Sequence, residues 1–256
     1  MQNIKLINYN DCITLAKIIG DTPETTIQYH LLMRGLCWAY IVGEPSKYNG
    51  VVIQSKLCPA EPIAFGTNAG IIWQILKDIK NWECIEVSDK CARELGYIIT
   101  SETGKKVRYY DDIYHILQKP VNEFKNEFVR QITIHDLDLL ESAQEDFRQS
   151  CFPSLKSLLT DGFVACAIIE GEIVGIAQTS ARSEKYSDIG VFVAEDYRNQ
   201  GFASASASTI ANLVQKEGQI PVWSAGEGNL ASIRVAQKLG FEEVSRMIYV
   251  IPEKTH

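Results

Sequence analysis

The segment Val191-Phe-Val-Ala-Glu-Asp-Tyr-Arg-Asn-Gln-Gly-Phe-Ala203 holds the residues of this chain best suited to gripping an anion. A β-like run ends at Val193, and the backbone N–H groups from Asn199 through Gln200, Gly201, Phe202 and Ala203 to Ser204 follow in close succession. If a helix starts at Gly201, its positive end points at the same spot. Gly201 would let the backbone approach a phosphate with no Cβ in the way, Ala203 would do nearly the same, and Arg198 adds a fixed charge. A plain strand-to-helix turn that needs a glycine explains the same letters, and the segment alone leaves both readings open.

The surrounding elements decide whether such a cradle can be positioned. Short β-rich runs alternate with helical patterns along the chain, which predicts an α/β architecture. In the second half a strand over Phe128–Thr133 precedes helical stretches within Ile134–Leu159. Phe163–Ile169 and Ile173–Thr179 then form a hairpin around Glu170-Gly171-Glu172. A strand over Asp188–Val193 leads into a helix from about Gly201 to Gly218, followed by a strand at Ile220–Ser224. A helix over Asn229–Leu239 comes next, with Asn229 as N-cap and Gly240 as terminator, and a last strand covers Val244–Ile251. The first half has a similar rhythm: a helix over Thr25–Arg34 and strands at Trp38–Val42 and Gly50–Ser55 around the turn-rich Gly43–Gly50. A helix near Ile71–Ile79, a strand at Glu83–Val87, a helix from Asp89 stopped by Gly96 and a strand at Lys106–Tyr110 complete it. The shared order suggests either a degenerate internal repeat or an unrelated α/β domain. The polar stretch Asn122–Glu127 is the natural linker, giving an N-terminal domain 1–125 and a C-terminal domain 126–256.

Twenty-six residues after Ala203 comes Asn229-Leu-Ala-Ser-Ile-Arg-Val-Ala-Gln-Lys-Leu-Gly-Phe241. Together with Arg198-x-x-Gly201-x-Ala203 it resembles the cofactor-binding motifs of the GNAT superfamily of N-acetyltransferases, and the element order from residue 126 onward is similar to that fold. The whole length is similar to the two-part acetyltransferases that include the zwittermicin A resistance enzymes. The resemblance implies a C-terminal mixed sheet flanked by helices and acetyl-CoA as co-substrate, with no metal. It implies that the strand at Val191, Phe192 and Val193 splays from its neighbour and pairs with the pantetheine arm. The pyrophosphate would then lie on Arg198–Ser204, with Asn229 and Ser232 flanking pantetheine and thioester, although Asn229 is equally explained as a helix cap.

The implied reaction is direct attack of an amine on the thioester, with the oxyanion held by a backbone N–H near Val191–Val193. Base candidates are Glu227, Asp188, and Ser224 acting through water. Many relatives carry a tyrosine two residues before the Lys-Leu-Gly-Phe lysine to protonate the departing thiolate, whereas this chain has Ala236. Tyr249 on the last strand is a substitute acid, and water another. The missing tyrosine also makes a non-catalytic CoA-binding regulatory module the competing reading. The turn Glu61-Pro-Ile-Ala-Phe-Gly-Thr67 carries no such phosphate signature, so one cofactor site is expected.

Composition narrows the partners. Residues 1–125 carry 14 basic and 14 acidic side chains and residues 126–256 carry 11 and 18, so the net charge of −7 belongs to the second half. That balance disfavours nucleic acid and suits a cationic small-molecule amine as acceptor. No apolar run approaches the ~18 residues of a membrane span. Seven cysteines without a Cys-x-x-Cys read as free thiols of a reducing compartment. The N-terminus lacks a signal-peptide pattern, and the expected location is the cytoplasm. The oligomeric state is left open, a homodimer included. Arg108–His115 concentrates polar aromatics and acids that either line an acceptor cleft or form a half-buried strand with its exit loop.

Overall fold

The computed structural model describes residues 3–253. The first half contains β1 (Ile4–Leu6), α1 (Tyr9–Ile19), α2 (Thr26–Arg34), β2 (Cys37–Glu44), β3 (Lys47–Ser55), β4 (Ile63–Phe65), α3 (Ala69–Leu76), β5 (Ile85–Val87), α4 (Asp89–Thr103) and β6 (Val107–Ile116). The second half contains β7 (Val129–Ile132), α5 (Leu137–Ser142), α6 (Leu155–Asp161), β8 (Val164–Ile169), β9 (Glu172–Arg182), β10 (Tyr186–Val193), α7 (Phe202–Lys216), β11 (Ile220–Gly226), α8 (Leu230–Leu239) and β12 (Glu242–Pro252). From the β2–β3 and β8–β9 hairpins onward, both halves run strand, strand, strand, helix, strand, helix, strand. This is the mixed α/β architecture predicted from the alternation. Among the described residues no helix is long and apolar enough to cross a membrane.

The chain divides into two compact units, Met1–Ile113 with Ser245–His256, and Tyr114–Val244. The first has strand order β1-β2-β3-β4-β5-β12, and β12 lies antiparallel to β5 with Tyr249 opposite Glu86. The last strand of the chain thus completes the sheet of the first unit. Its core gathers Ile72, Ile75 and Leu76 of α3, Leu95 and Ile99 of α4, and Ile248 and Val250 of β12.

One helix boundary and one strand boundary differ from expectation. The helix that Gly96 was to stop continues to Thr103 and ends at Gly104, whose φ of +73° supplies the left-handed cap. A Cβ at Gly96 would collide with the Tyr109 hydroxyl, so that glycine serves close packing of α4 on β6 rather than termination. At β2–β3 the pairing continues to Glu44 opposite Lys47 through a bulge after Val42, where Gly43 takes φ +105°. The turn-rich stretch is therefore mostly strand.

The second unit has strand order β11-β10-β9-β8-β7. Helix α7 supplies Ala207, Ile210, Ala211 and Val214 to a core shared with Ala165, Ala177, Ile189, Trp223, Ala236, Leu239 and Phe241. Small residues along α7 let it lie close to the sheet, since Ser204 to Ser208 are all buried. The Asn122–Glu127 stretch is held on α7 and α8: Asn122 Nδ2 donates to Lys238 O at 3.1 Å, and Phe124 N to Ser208 Oγ at 3.2 Å.

Candidate active site

β10 runs parallel to β11 for three residue pairs, Tyr186–Ile220, Ser187–Pro221 and Asp188–Val222, and then the two part. From Ile189 to Val193, β10 keeps only its antiparallel partner β9, and a register shift falls between Asp188 and Ile189. Burial changes at the same place: Tyr186 to Ile189 are buried, whereas Gly190 to Val193 are half-buried. Strand backbone without a ladder partner has polar groups to offer a ligand. From Val191 to Val193 the edge of β10 away from β9 is therefore without a ladder partner, while the Phe192 side chain packs edge-to-face on Phe147 at 5.1 Å.

Beyond β10 the backbone turns through Asn199 at φ +63° and Gly201 at φ +84°. Gly201 is the N-cap of α7, and no side chain caps this helix. Its first N–H groups are therefore left for an outside acceptor, and the 15-residue helix adds its dipole. A Cβ built on Gly201 meets nothing within 4 Å, so the glycine answers to the backbone angle and to open space, not to a crowded neighbour. The equivalent helix of the first unit shows the contrast. The α3 start is closed by the Asn68 side chain, which accepts from Ile71 N at 3.0 Å.

A cleft of about 530 Å³ lies over this turn, lined by Val193, Tyr197, Arg198, Asn199, Gly201 to Ser204, Ala231, Arg234, Val235 and Lys238. Arg198, Arg234 and Lys238 give it three cations, a charge pattern matched to a polyphosphate. Arg198 Nε also approaches Val193 O at 3.4 Å, and Lys238 Nζ lies 4.4 Å from the Phe124 ring centroid. Arg234 and Lys238 were not anticipated. Their signal was the helical spacing of Ala231, Arg234, Val235 and Lys238, one face of the well-punctuated α8.

The remaining anticipated residues fall outside this cleft lining. Gln200 points its amide back to Asp196 O at 3.4 Å. Asn229 caps α8 by accepting from Ser232 N at 3.2 Å, and Ser232 Oγ accepts from Trp223 Nε1 at 2.9 Å. Among the base candidates, Asp188 is buried at the last paired position before the strands part, Ser224 is half-buried on β11, and Glu227 is exposed in the turn before α8. Tyr249 lies in the first unit, and burial, with help from Glu86 and Asp112, raises its phenol pKa above the ordinary value. Ala236 is fully buried in the core with Trp223 and Phe241. Among the described residues no cluster of His, Cys, Asp and Glu could hold a metal.

These features fit a phosphate-bearing, pantetheine-like ligand: an uncapped helix start, left-handed backbone at Asn199 and Gly201, three cations and a strand edge opened for pairing. Solved structures share this fold. A GCN5-related N-acetyltransferase-like protein from Streptococcus suis aligns over 95% of this chain and 99% of its own at 20% identity, with a TM-score of 0.70. An acetyltransferase of the GNAT family from Colwellia psychrerythraea covers 98% and 100% at 13% identity, TM-score 0.62. A tandem GNAT protein from the clavulanic acid biosynthesis pathway covers 100% of both chains at 12% identity, TM-score 0.57. No curated protein matches the sequence. The GNAT acetyltransferase family itself matches residues 78–249, more than half of the chain, and the protein therefore belongs to that family of acetyltransferase enzymes.

Proposed function

We propose that this enzyme transfers the acetyl group of acetyl-CoA to a primary amine on a small cationic molecule. The observation that carries the reading is the parting of β10 from β11 after Asp188, directly before the uncapped N-terminus of α7. Acetyl-CoA supplies the activated thioester, with a thiolate leaving group of pKa roughly 8.5. The N–H groups of residues 199–204 and the Arg198 guanidinium hold the pyrophosphate, with Arg234 and Lys238 adding positive charge. The freed main chain of Val191–Val193 pairs with the pantetheine arm, and an N–H there stabilises the developing oxyanion. Asp188, Glu227 or a water held by Ser224 removes the proton of the attacking ammonium. Water returns a proton to sulfur. The fully buried Ala236 leaves no hydroxyl on α8 at the position where relatives carry their tyrosine.

The cationic acceptor rests on the acidic balance of residues 126–256. Within the family we assign the chain to the two-part enzymes that resemble zwittermicin A resistance acetyltransferases, with the transfer machinery in residues 126–256. The end-to-end match of the tandem protein supports this reading. A cytoplasmic setting belongs to the same proposal, in keeping with the free cysteines.

The test incubates the full chain with acetyl-CoA and a panel of polyamines, aminoglycosides and amino acid amides, reading the free CoA thiol released. Thiol release that needs both enzyme and one amine class is the expected result. Acetyl-CoA binding without transfer to any amine would overturn the acceptor assignment.

A further inference from the structure

The cleft over the α7 start holds more positive charge than a pyrophosphate needs. Residues 126–256 carry 11 basic and 18 acidic side chains, yet the cleft lining contains Arg198, Arg234 and Lys238 and no carboxylate. The uncapped start of α7 counts as about half a positive charge. With Arg198 it comes close to balancing a pyrophosphate, whose two phosphoryl groups carry one negative charge each. Arg234 and Lys238 are left over. Both are exposed on α8, and neither is in an ion pair with another described residue.

Their spacing narrows the choice of partner. Positions 234 and 238 are one helical turn apart, so the two side chains neighbour each other on one face of α8, where like charges repel. Lys238 has local reasons to be there: it lies in the last turn, where the helix dipole favours a cation, and its Nζ is 4.4 Å from the Phe124 ring centroid. Arg234 is not in that last turn, and its guanidinium offers a planar fork of donors suited to phosphate oxygens. Two cations at this spacing, open to solvent and sharing a cleft with the α7 turn, match a phosphate monoester, which carries about −1.5 to −2 at pH 7. Coenzyme A has such a group in the 3′-phosphate of its ribose, one sugar ring away from the pyrophosphate. We propose that Arg234 and Lys238 bind this 3′-phosphate and make the enzyme select CoA thioesters over their dephospho-CoA counterparts. This assignment rests on acetyl-CoA as the co-substrate and adds a specificity for its nucleotide end.

The test measures Kd for CoA and for dephospho-CoA, which has a hydroxyl in place of the 3′-phosphate, by calorimetric titration of the full chain. Salt at about 0.15 M screens distant surface charges. The parent should bind CoA at least about tenfold more tightly, because hydrogen bonds between charged groups are lost with the phosphate. In the double variant Arg234→Gln, Lys238→Gln the ratio of the two affinities should fall to near one. Both positions are exposed, and a parent-like Tm without ligand verifies that the variant folds. Equal affinity of the parent for the two ligands would overturn the 3′-phosphate assignment, whatever the variant does, and leave acetyl-CoA as the co-substrate. A ratio kept in the double variant would put the 3′-phosphate on other residues and overturn it as well. Absence of binding by either ligand would instead refute the acetyl-CoA reading, and the assignment would fall with it.

Discussion

Gly201 and Gly218 form a matched pair of perturbations at the two ends of α7. Both have positive φ, +84° and +79°, and a Cβ added to either meets nothing within 4 Å. Alanine at each position should therefore cost the same thing in the unliganded protein, the left-handed strain of about 1–2 kcal/mol. At 2–4 °C per kcal/mol for a chain of this size, that is a fall of about 2–8 °C in Tm. The ligand-bound state separates the two. Gly201 lies in the cleft with Arg198, Arg234 and Lys238, whereas Gly218 follows the far end of the helix. A methyl group beside the α7 amides would displace at least one hydrogen bond to a charged phosphate oxygen, each about 1.5–3 kcal/mol, or roughly tenfold to a hundredfold in Kd. Calorimetric titration with acetyl-CoA needs no knowledge of the acceptor. Gly201→Ala should bind at least about tenfold more weakly, while Gly218→Ala keeps the parent affinity despite an equal loss of Tm. Equal affinities in both variants would show that the phosphates do not sit on this turn.

The catalytic assignments, the core and the ionisable groups offer further tests. Glu227→Gln and Asp188→Asn, assayed separately by thiol release, should identify the base as the one whose loss lowers turnover by about 100-fold or more at unchanged acetyl-CoA affinity. Parent-like turnover in both would leave water held by Ser224. Ala236→Tyr, which installs the tyrosine found in relatives, should destabilise the protein by about 1–3 kcal/mol through overpacking; an unchanged denaturation midpoint would contradict the buried placement of Ala236. The Arg130 guanidinium bonds to Asp136 at 2.7 Å and holds its carboxyl below the usual range, so the pair contributes above the unfolded carboxylate pKa and is lost as pH falls through the folded one. Because Arg130 is half exposed, Asp136→Asn should cost only ~0.5–1 kcal/mol at neutral pH, and the difference should shrink below about pH 4; a difference constant with pH would refute the pairing. Burial pushes the Cys84 and Cys166 thiols up to about 12 and Cys91 to about 11, while Cys58 is exposed. Thiol titration of the native protein should therefore label Cys58 well before Cys91 and Cys166, and comparable labelling rates would contradict the burial of those two.

The parts of the site legible in the sequence were those set by local rules. The α7 start was visible because a left-handed glycine after a strand, with an arginine three residues earlier, is local chemistry. The α8 boundaries followed from Asn229 and Gly240. Strand β1 has only three residues, too few for a period to show, whereas α1 carries a legible signal that the sequence reading does not use, Asn8 capping it by accepting from Asp11 N at 3.1 Å. The placement of β12 was out of reach. Its alternating pattern says that it is a strand, but its pairing with β5 joins residues some 160 positions apart, and the choice of sheet is a tertiary matter. Gly96 misled for a related reason, since the demand for a missing Cβ came from Tyr109 on another element. Arg234 and Lys238 were readable as one helix face and acquire meaning only once α8 and the α7 turn border the same cleft.

The central claim is that acetyl-CoA binds across the parted β10 edge and the α7 N-terminus, and the most direct measurement is a crystal structure of the chain with acetyl-CoA or CoA bound. The account predicts pyrophosphate oxygens within hydrogen-bonding distance of the N–H groups of residues 199–204 and of Arg198, with the pantetheine amides paired to Val191–Val193. Pyrophosphate bound anywhere else, or a pantetheine arm that leaves β10 unpaired, would contradict it.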